Sequence, residues 1–311
     1  MSFNLSRLQG SWCSFLAFPN GSERTSIYYT VTLTTSVVTS LLGPMAIVAN
    51  ALMLAAIWKN PSLRTPSYVL LAGLALTDFC TGLLTQPFYV VYKLGDLSGN
   101  IKMFCIGGVV SESAGYYFSS LTGTMMTITA VERWLHMSRR SLLTVRRVVT
   151  LYITCLVALL LFFAGHIYNR SSTNKFFSPF IVLLLLGAAL NFSLTLFAYF
   201  KVFQIIRKHQ NQVQANQNSI DIEKYKKSVF TILYILAILL LGYTPYLVCV
   251  LVISVVDLGI VSWYGIFNAC ATIVLSSSVL NPLLYCWRIK EIRNSVRVIV
   301  RNLCYKKCAR E

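Results

Sequence analysis

The run Ser276-Ser-Ser-Val-Leu-Asn281-Pro282-Leu-Leu-Tyr285-Cys-Trp-Arg288 closes the last long apolar stretch of this 311-residue chain. Hydrocarbon offers no hydrogen-bond partners, so a polar group inside such a run must face other helices or trapped water. Asn281 brings an amide and Tyr285 a hydroxyl one turn later. Pro282 removes a backbone N–H and drives its ring against the preceding turn. The stretch is therefore expected to be a helix bent at Pro282, with its polar face turned inward. A proline kink with polar contacts between helices would explain an isolated Asn-Pro pair equally well, so the surrounding chain has to decide.

Hydrophobic residues make up 56% of the chain and charged residues 12%, with a mean hydropathy of +0.65. A soluble domain carries about 25% charged residues, so the composition is that of a polytopic membrane protein. Seven apolar runs cover roughly 29–58, 67–92, 103–137, 148–167, 180–206, 222–255 and 262–286. Residues 1–26 carry Arg7, Glu23 and Arg24 and no apolar h-region, so the first span is expected to serve as its own insertion signal. The expected organisation is an extracellular tail over 1–26, a seven-helix domain over 27–286, and an amphipathic helix with a cytoplasmic tail over 287–311.

The net charge of +17 is distributed by topology. Of the 27 Lys and Arg, 21 fall on one side, in the loops after spans one, three and five and in the C-terminal segment. The other six are Arg7, Arg24, Lys93, Lys102, Arg170 and Lys175. The positive-inside rule makes the richer side cytoplasmic, with the N-terminus outside and the C-terminus inside. Topology and anionic inner-leaflet lipid account for the basic surface, and no nucleic acid is needed. The sequons at Asn4, Asn20 and Asn169 all fall on the expected outside. After span seven, Ile289, Ile292, Val296 and Ile299 recur at helical spacing opposite Lys and Arg, a helix expected to lie flat on the inner leaflet. Cys304 and Cys308 follow in juxtamembrane position, where palmitoylation is plausible.

Three further features sit inside the spans. Asn50 lies in span one. Leu74-Ala-Leu-Thr-Asp78 puts a carboxylate near mid-membrane in span two, which marks a functional site by default, although a protonated or hydrogen-bonded structural Asp is the plainer alternative. Glu132-Arg133-Trp134 ends span three with an acid beside an arginine, a local ion pair that can break when the helix end opens to a partner. Together with Asn-Pro-x-x-Tyr in the seventh span, this set resembles the rhodopsin-like (class A) G-protein-coupled receptors over nearly the whole chain.

That resemblance implies an all-α membrane protein, a seven-transmembrane helix bundle with a short amphipathic eighth helix, in the plasma membrane. It implies no enzyme, but a receptor that binds an unidentified extracellular ligand and activates heterotrimeric G proteins by outward movement of helix six. The switch residues would be Glu132, Arg133, Tyr199, Tyr243, Pro245, Asn281, Pro282 and Tyr285. No cofactor is expected beyond an allosteric sodium ion held by Asp78, Thr122, Ser277, Ser278 and Asn281, since oxygen-only ligands suit a hard cation. The ligand would sit among the outer halves of spans three, five, six and seven, near Glu112, Gly115, Tyr116, Ser119, Tyr246, Trp263, Tyr264 and Asn268.

The chain also departs from the family pattern. Trp134 stands where the family has Tyr, Tyr243 where it has Trp, and Asn191 where span five has its proline. The loop after span four has no cysteine to make the family's usual bond to Cys105, which could instead pair with Cys13, the other cysteine clearly outside. Gly115 replaces the aspartate of amine receptors, and no lysine lies between Trp263 and Arg288 to carry retinal. A stunted second outer loop and the missing span-five proline are shared with melanocortin, cannabinoid and lysophospholipid receptors. Two other classes stay open. A small transporter or channel would show internal repeats and broken helices at mid-membrane, and neither is evident. A non-signalling or decoy receptor is compatible with the altered Trp134 and Tyr243.

Overall fold

The computed structural model describes residues 25–138, 143–170, 179–213, 241–252 and 260–308, and every regular element among them is helical. α1 is Ser26–Lys59, α2 is Pro66–Cys80 and α3 is Gln86–Ser98, the last two joined by a π-turn at Thr81–Thr85. α4 is Ile101–Met137, α5 is Val145–Arg170 and α6 is Pro179–Val213. α7 is the described part of span six, Leu241–Val252. α8 is Ile260–Arg288 and α9 is Lys290–Cys308.

The α1, α2–α3, α5, α6 and α8 segments are each long and apolar enough to cross a membrane. α4, expected as span three, is not among these, and it carries serines, threonines and glycines through its middle. It packs against α2, α3, α5 and α6, so it shows lipid less surface than a peripheral helix would and needs fewer apolar residues. The architecture is a membrane helix bundle closed by a short amphipathic helix.

Span two differs from the expectation in an informative way. In a regular helix the Pro87 ring would collide with the carbonyl one turn back. The wider turn at Thr81–Thr85 lies immediately before it and absorbs the misfit. The helix then continues to Ser98, well past the expected end at 92. What was expected to be an outer loop from Lys93 to Lys102 is only Gly99 and Asn100. Gly99 takes the left-handed conformation (φ 70°) that a side chain resists. The Asn100 side chain accepts from the Met103 N–H at 3.2 Å and starts α4. Lys93 therefore lies within a helix.

The α3–α4 hairpin is packed backbone to backbone. A Cβ on Gly95 would lie 2.3 Å from the Phe104 nitrogen, and one on Gly107 would lie 2.4 Å from the Tyr92 nitrogen. Cys105, between these contacts, is a disulfide cysteine. Cys13, which could pair with it, lies outside the described residues, as do Asn4 and Asn20. Cys80, Cys155, Cys249, Cys270 and Cys286 are free thiols.

α9 also differs in detail. Its apolar stripe turns toward the bundle. Ile292 is fully buried in a cluster with Met53, Ile57, Leu71 and Tyr285, and Val296 packs on the same cluster. Asn60, at the end of α1, donates to Ser295 Oγ at 3.0 Å. Among the described side chains of this helix, Val298 and Val300 are the exposed apolar ones, rather than the four in the expected stripe. Asn169, Cys304 and Cys308 fall near helix ends, and their side chains lie outside the description.

The hairpin contacts make a direct prediction. Gly95→Ala and Gly107→Ala each force a methyl into backbone, a misfit worth at least about 1–3 kcal/mol. Thermal unfolding of the purified chain should shift to lower temperature for both. Gly115→Ala, whose Cβ meets only the Thr85 methyl at 3.4 Å, should leave the midpoint nearly unchanged.

Candidate functional site

Pro282 sets up the centre of the bundle. Because it has no N–H, the carbonyl of Ser278, four residues earlier, loses its intrahelical partner. Asn50 of α1 fills the gap, its Nδ2 donating to the Ser278 carbonyl at 2.8 Å and to the Ala46 carbonyl at 2.9 Å. One turn past Ser278, Asn281 Nδ2 donates to Asp78 Oδ2 at 2.8 Å. Asn50, Asp78 and Asn281 are all buried. Gln86, which the sequence reading passed over, donates to Ser278 Oγ at 2.9 Å and to the Leu275 carbonyl at 3.0 Å. These bonds join α1, α2, α3 and α8 at the kink.

Asp78, Thr81, Ser119, Thr122, Tyr243, Ser277 and Ser278 line a small cavity of about 10 Å³. That is room for about one small particle. Its polar wall is a carboxylate and hydroxyls, with no amine or thiol, a donor set that fits a hard cation. Asn281 is bonded to Asp78 and does not line the cavity. The hydroxyls of Ser277 and Ser278 donate to the Val274 and Leu275 carbonyls at 2.6 and 2.7 Å, which leaves their oxygens as acceptors, that of Ser278 already taking a bond from Gln86. Tyr243 forms one wall, within reach of Ser119 and Ser277.

At the end of α4, Glu132 is 1% exposed. Ser67 Oγ lies 3.0 Å from both of its carboxylate oxygens. The Arg133 Nε is 3.9 Å from Glu132 Oε2 and makes no hydrogen bond. The ion pair expected from the sequence is thus loose, and a hydroxyl from α2 holds the acid more closely than its neighbour does. Tyr199 and Tyr285 are buried, both within electrostatic reach of Arg133. Trp134 meets Phe197 edge to face, with ring centroids 5.5 Å apart. Asn191, in place of a proline, has its carbonyl bonded by Thr127 and Thr195 at 3.1 and 2.7 Å, which fastens α6 to α4.

The opposite end of the bundle holds a cluster that the sequence reading missed. Lys93 is fully buried on α3. Its Nζ donates to Asn268 Oδ1 at 2.7 Å and lies 4.2 Å from the Tyr92 ring centroid and 5.0 Å from that of Tyr89. Asp96 is equally buried and accepts from the Tyr28 hydroxyl. Asp96 and Glu112 are the carboxylates whose charge acts on Lys93. An ammonium buried without such partners would be prohibitive. Asn268 is therefore held inside the α3–α8 seam, not in an open pocket wall. Tyr246 stacks at a tilt on Phe267, with centroids 5.4 Å apart. Glu112, Gly115, Tyr116 and Ser119 are half-buried along α4. Trp263 and Tyr264 lie in the first turns of α8, their side chains outside the description. Asp78, Thr122, Ser277 and Ser278 are brought together with Tyr243, while Glu132 and Arg133 form a separate group.

Residues 49–285 match the family described as 7 transmembrane receptor (rhodopsin family). G-protein coupled receptor 12 of Homo sapiens is 25% identical over 274 residues, which cover 83% of this chain and 78% of that receptor. G-protein coupled receptor 6 of Rattus norvegicus is 25% identical over 263 residues, covering 79% and 69%. Melanocortin receptor 5 of Mus musculus is 23% identical over 279 residues, covering 83% and 82%.

Lys93→Met should strip the buried carboxylate Asp96 of its nearby cation and cost about 3–5 kcal/mol. The predicted outcome is a large drop in thermal midpoint and in the amount reaching the cell surface. Adding Asp96→Asn to Lys93→Met should recover part of that loss.

Proposed function

Since this chain belongs to the rhodopsin family of seven-transmembrane receptors, we propose that it is a plasma-membrane receptor that couples an extracellular ligand to nucleotide exchange on a heterotrimeric G protein. The observation that carries this reading is the buried Asp78–Asn281 bond beside the cavity under Tyr243. It joins a membrane carboxylate to a proline-bent helix, a pairing that packing alone does not require. The N-terminus lies outside and the C-terminus inside, following the charge distribution. The phosphate chemistry belongs to the G protein and not to this chain.

The mechanism is a shift between two states. Ligand contacts made near Glu112, Tyr116 and Tyr246 favour the state in which span six swings outward about Pro245. Glu132 then leaves Ser67, Arg133 turns free, and Tyr199 and Tyr285 move in beside it. A groove opens at the inner end and accepts a helix of the G protein. Each move exchanges one partner of a buried polar group for another, so intermediate positions leave a group unsatisfied and are costly. Asp78, Thr122, Ser277 and Ser278 would hold a sodium ion in the resting state, where it would supply a counter-charge to the carboxylate.

Expression of the chain in cells should raise G-protein activation, and Arg133→Ala should abolish the rise. Equal output from the two would contradict the switch. Absent output from a chain that reaches the surface would favour a non-signalling receptor. Ser67→Ala removes a hydrogen bond to a charged group worth about 1.5–3 kcal/mol and should raise ligand-independent output roughly tenfold.

The sodium proposal has its own test. Replacing sodium with N-methyl-D-glucamine should lower the thermal midpoint of the purified chain and leave that of Asp78→Asn unmoved. Equal shifts in both proteins would remove the ion from the account.

A further inference from the structure

Cys249 and Cys270 lie 21 positions apart on successive helices and meet across the α7–α8 seam. Their sulfurs are 3.8 Å apart, one thiol donating to the other. Both are free, and they are 5% and 7% exposed. The helices are close here: Tyr246 lies against Phe267, and a Cβ on Gly242 would touch Ile273 at 3.5 Å. No other pair of free cysteines is in sulfur contact among the described residues. Composition alone makes these two ordinary apolar side chains. Only the fold makes them a pair.

A disulfide holds its sulfurs about 2.05 Å apart. Closing this pair requires an approach of roughly 1.8 Å, shared between two side chains that already face each other. We propose that Cys249 and Cys270 form a thiol–disulfide modification site, closed by hydrogen peroxide, which ties α7 to α8 beyond Pro245 from the Arg133 end. Peroxide is small and uncharged enough to enter a bundle. One thiol attacks it, breaks the O–O bond and becomes a sulfenic acid with release of water. The second thiol attacks that sulfur and forms the S–S bond, releasing a second water. In sum, two thiols and one peroxide give one disulfide and two waters. Both thiols are buried and meet the oxidant rarely, so closure accumulates slowly and lasts until a dithiol reduces it. A covalent tie at this position restrains the swing of span six about Pro245; this consequence rests on the receptor reading above.

The test uses the full chain in cell membranes. Membranes are treated with hydrogen peroxide, remaining thiols are blocked with N-ethylmaleimide, and the protein is digested without reduction for mass spectrometry. The expected result is a linked peptide pair containing Cys249 and Cys270, absent before peroxide and lost after dithiothreitol. In Cys249→Ala, Cys270 should be recovered as its maleimide adduct. Recovery of both cysteines as maleimide adducts or sulfonic acids in the unsubstituted chain would overturn the proposal. In parallel, peroxide should reduce G-protein activation reversibly, and the Cys249→Ala/Cys270→Ala chain should not respond to it. A linked pair with unchanged output in a signalling chain would overturn the restraint. A chain that never signals would count against the receptor reading, while the peptide linkage is judged on its own.

Discussion

The carbonyl of Ser278 is where the constraint of the membrane becomes visible. Pro282 denies it the usual N–H, and no water is at hand in hydrocarbon to replace the bond. The chain solves this with Asn50, reaching from α1 at 2.8 Å. Once that amide is fixed, α1 is fixed against α8. Asn281 then sits one turn along, aimed at Asp78, and Gln86 binds the Ser278 hydroxyl from the other side. Four segments are registered by amides and a carboxylate, where apolar packing alone would let them slide. Packing between membrane helices gains little from the hydrophobic effect, because lipid is as apolar as leucine. Directional bonds therefore carry much of the specificity.

The same economy recurs at both ends. At one end the Glu132 carboxylate is held by Ser67, and Arg133 stands loosely beside it at 3.9 Å. At the other end Lys93 donates to Asn268, lies over two tyrosine rings and is acted on by the carboxylates of Asp96 and Glu112. The Glu132 carboxylate, held by a hydroxyl, can change partners without breaking a tight ion pair. That is a suitable basis for a switch with two discrete states, and it places the more adjustable contacts at the ends and the stiffer ones at the kink.

Much of this was legible in the sequence because it depends on local order. The seven apolar runs, the asymmetry of Lys and Arg, and the Asn281-Pro282-x-x-Tyr285, Asp78 and Glu132-Arg133 signatures need only neighbours along the chain. The bundle and the family followed from them. The expectations that changed depend on neighbours in space. Lys93 and Asp96 interrupt a hydropathy run and so read as loop, yet Gly99 and Asn100 reverse the chain in two residues and leave both charges in a helix. Ser67 was expected only as the first residue of span two, and its meeting with Glu132 spans 65 positions. Ile292 belonged to a stripe expected to face lipid, but the end of α1 lies under it. Nothing in the sequence pairs Cys249 with Cys270.

The claim on which the account rests is that Asn50, Asp78 and Asn281 act as one unit. A double-mutant cycle tests it, reading nucleotide exchange on a purified heterotrimeric G protein with Asn50→Ala, Asp78→Asn and the combined variant. If the unit is real, the combined variant falls no further than the worse single one. Losses that multiply, as they would for two independent sites, would contradict it.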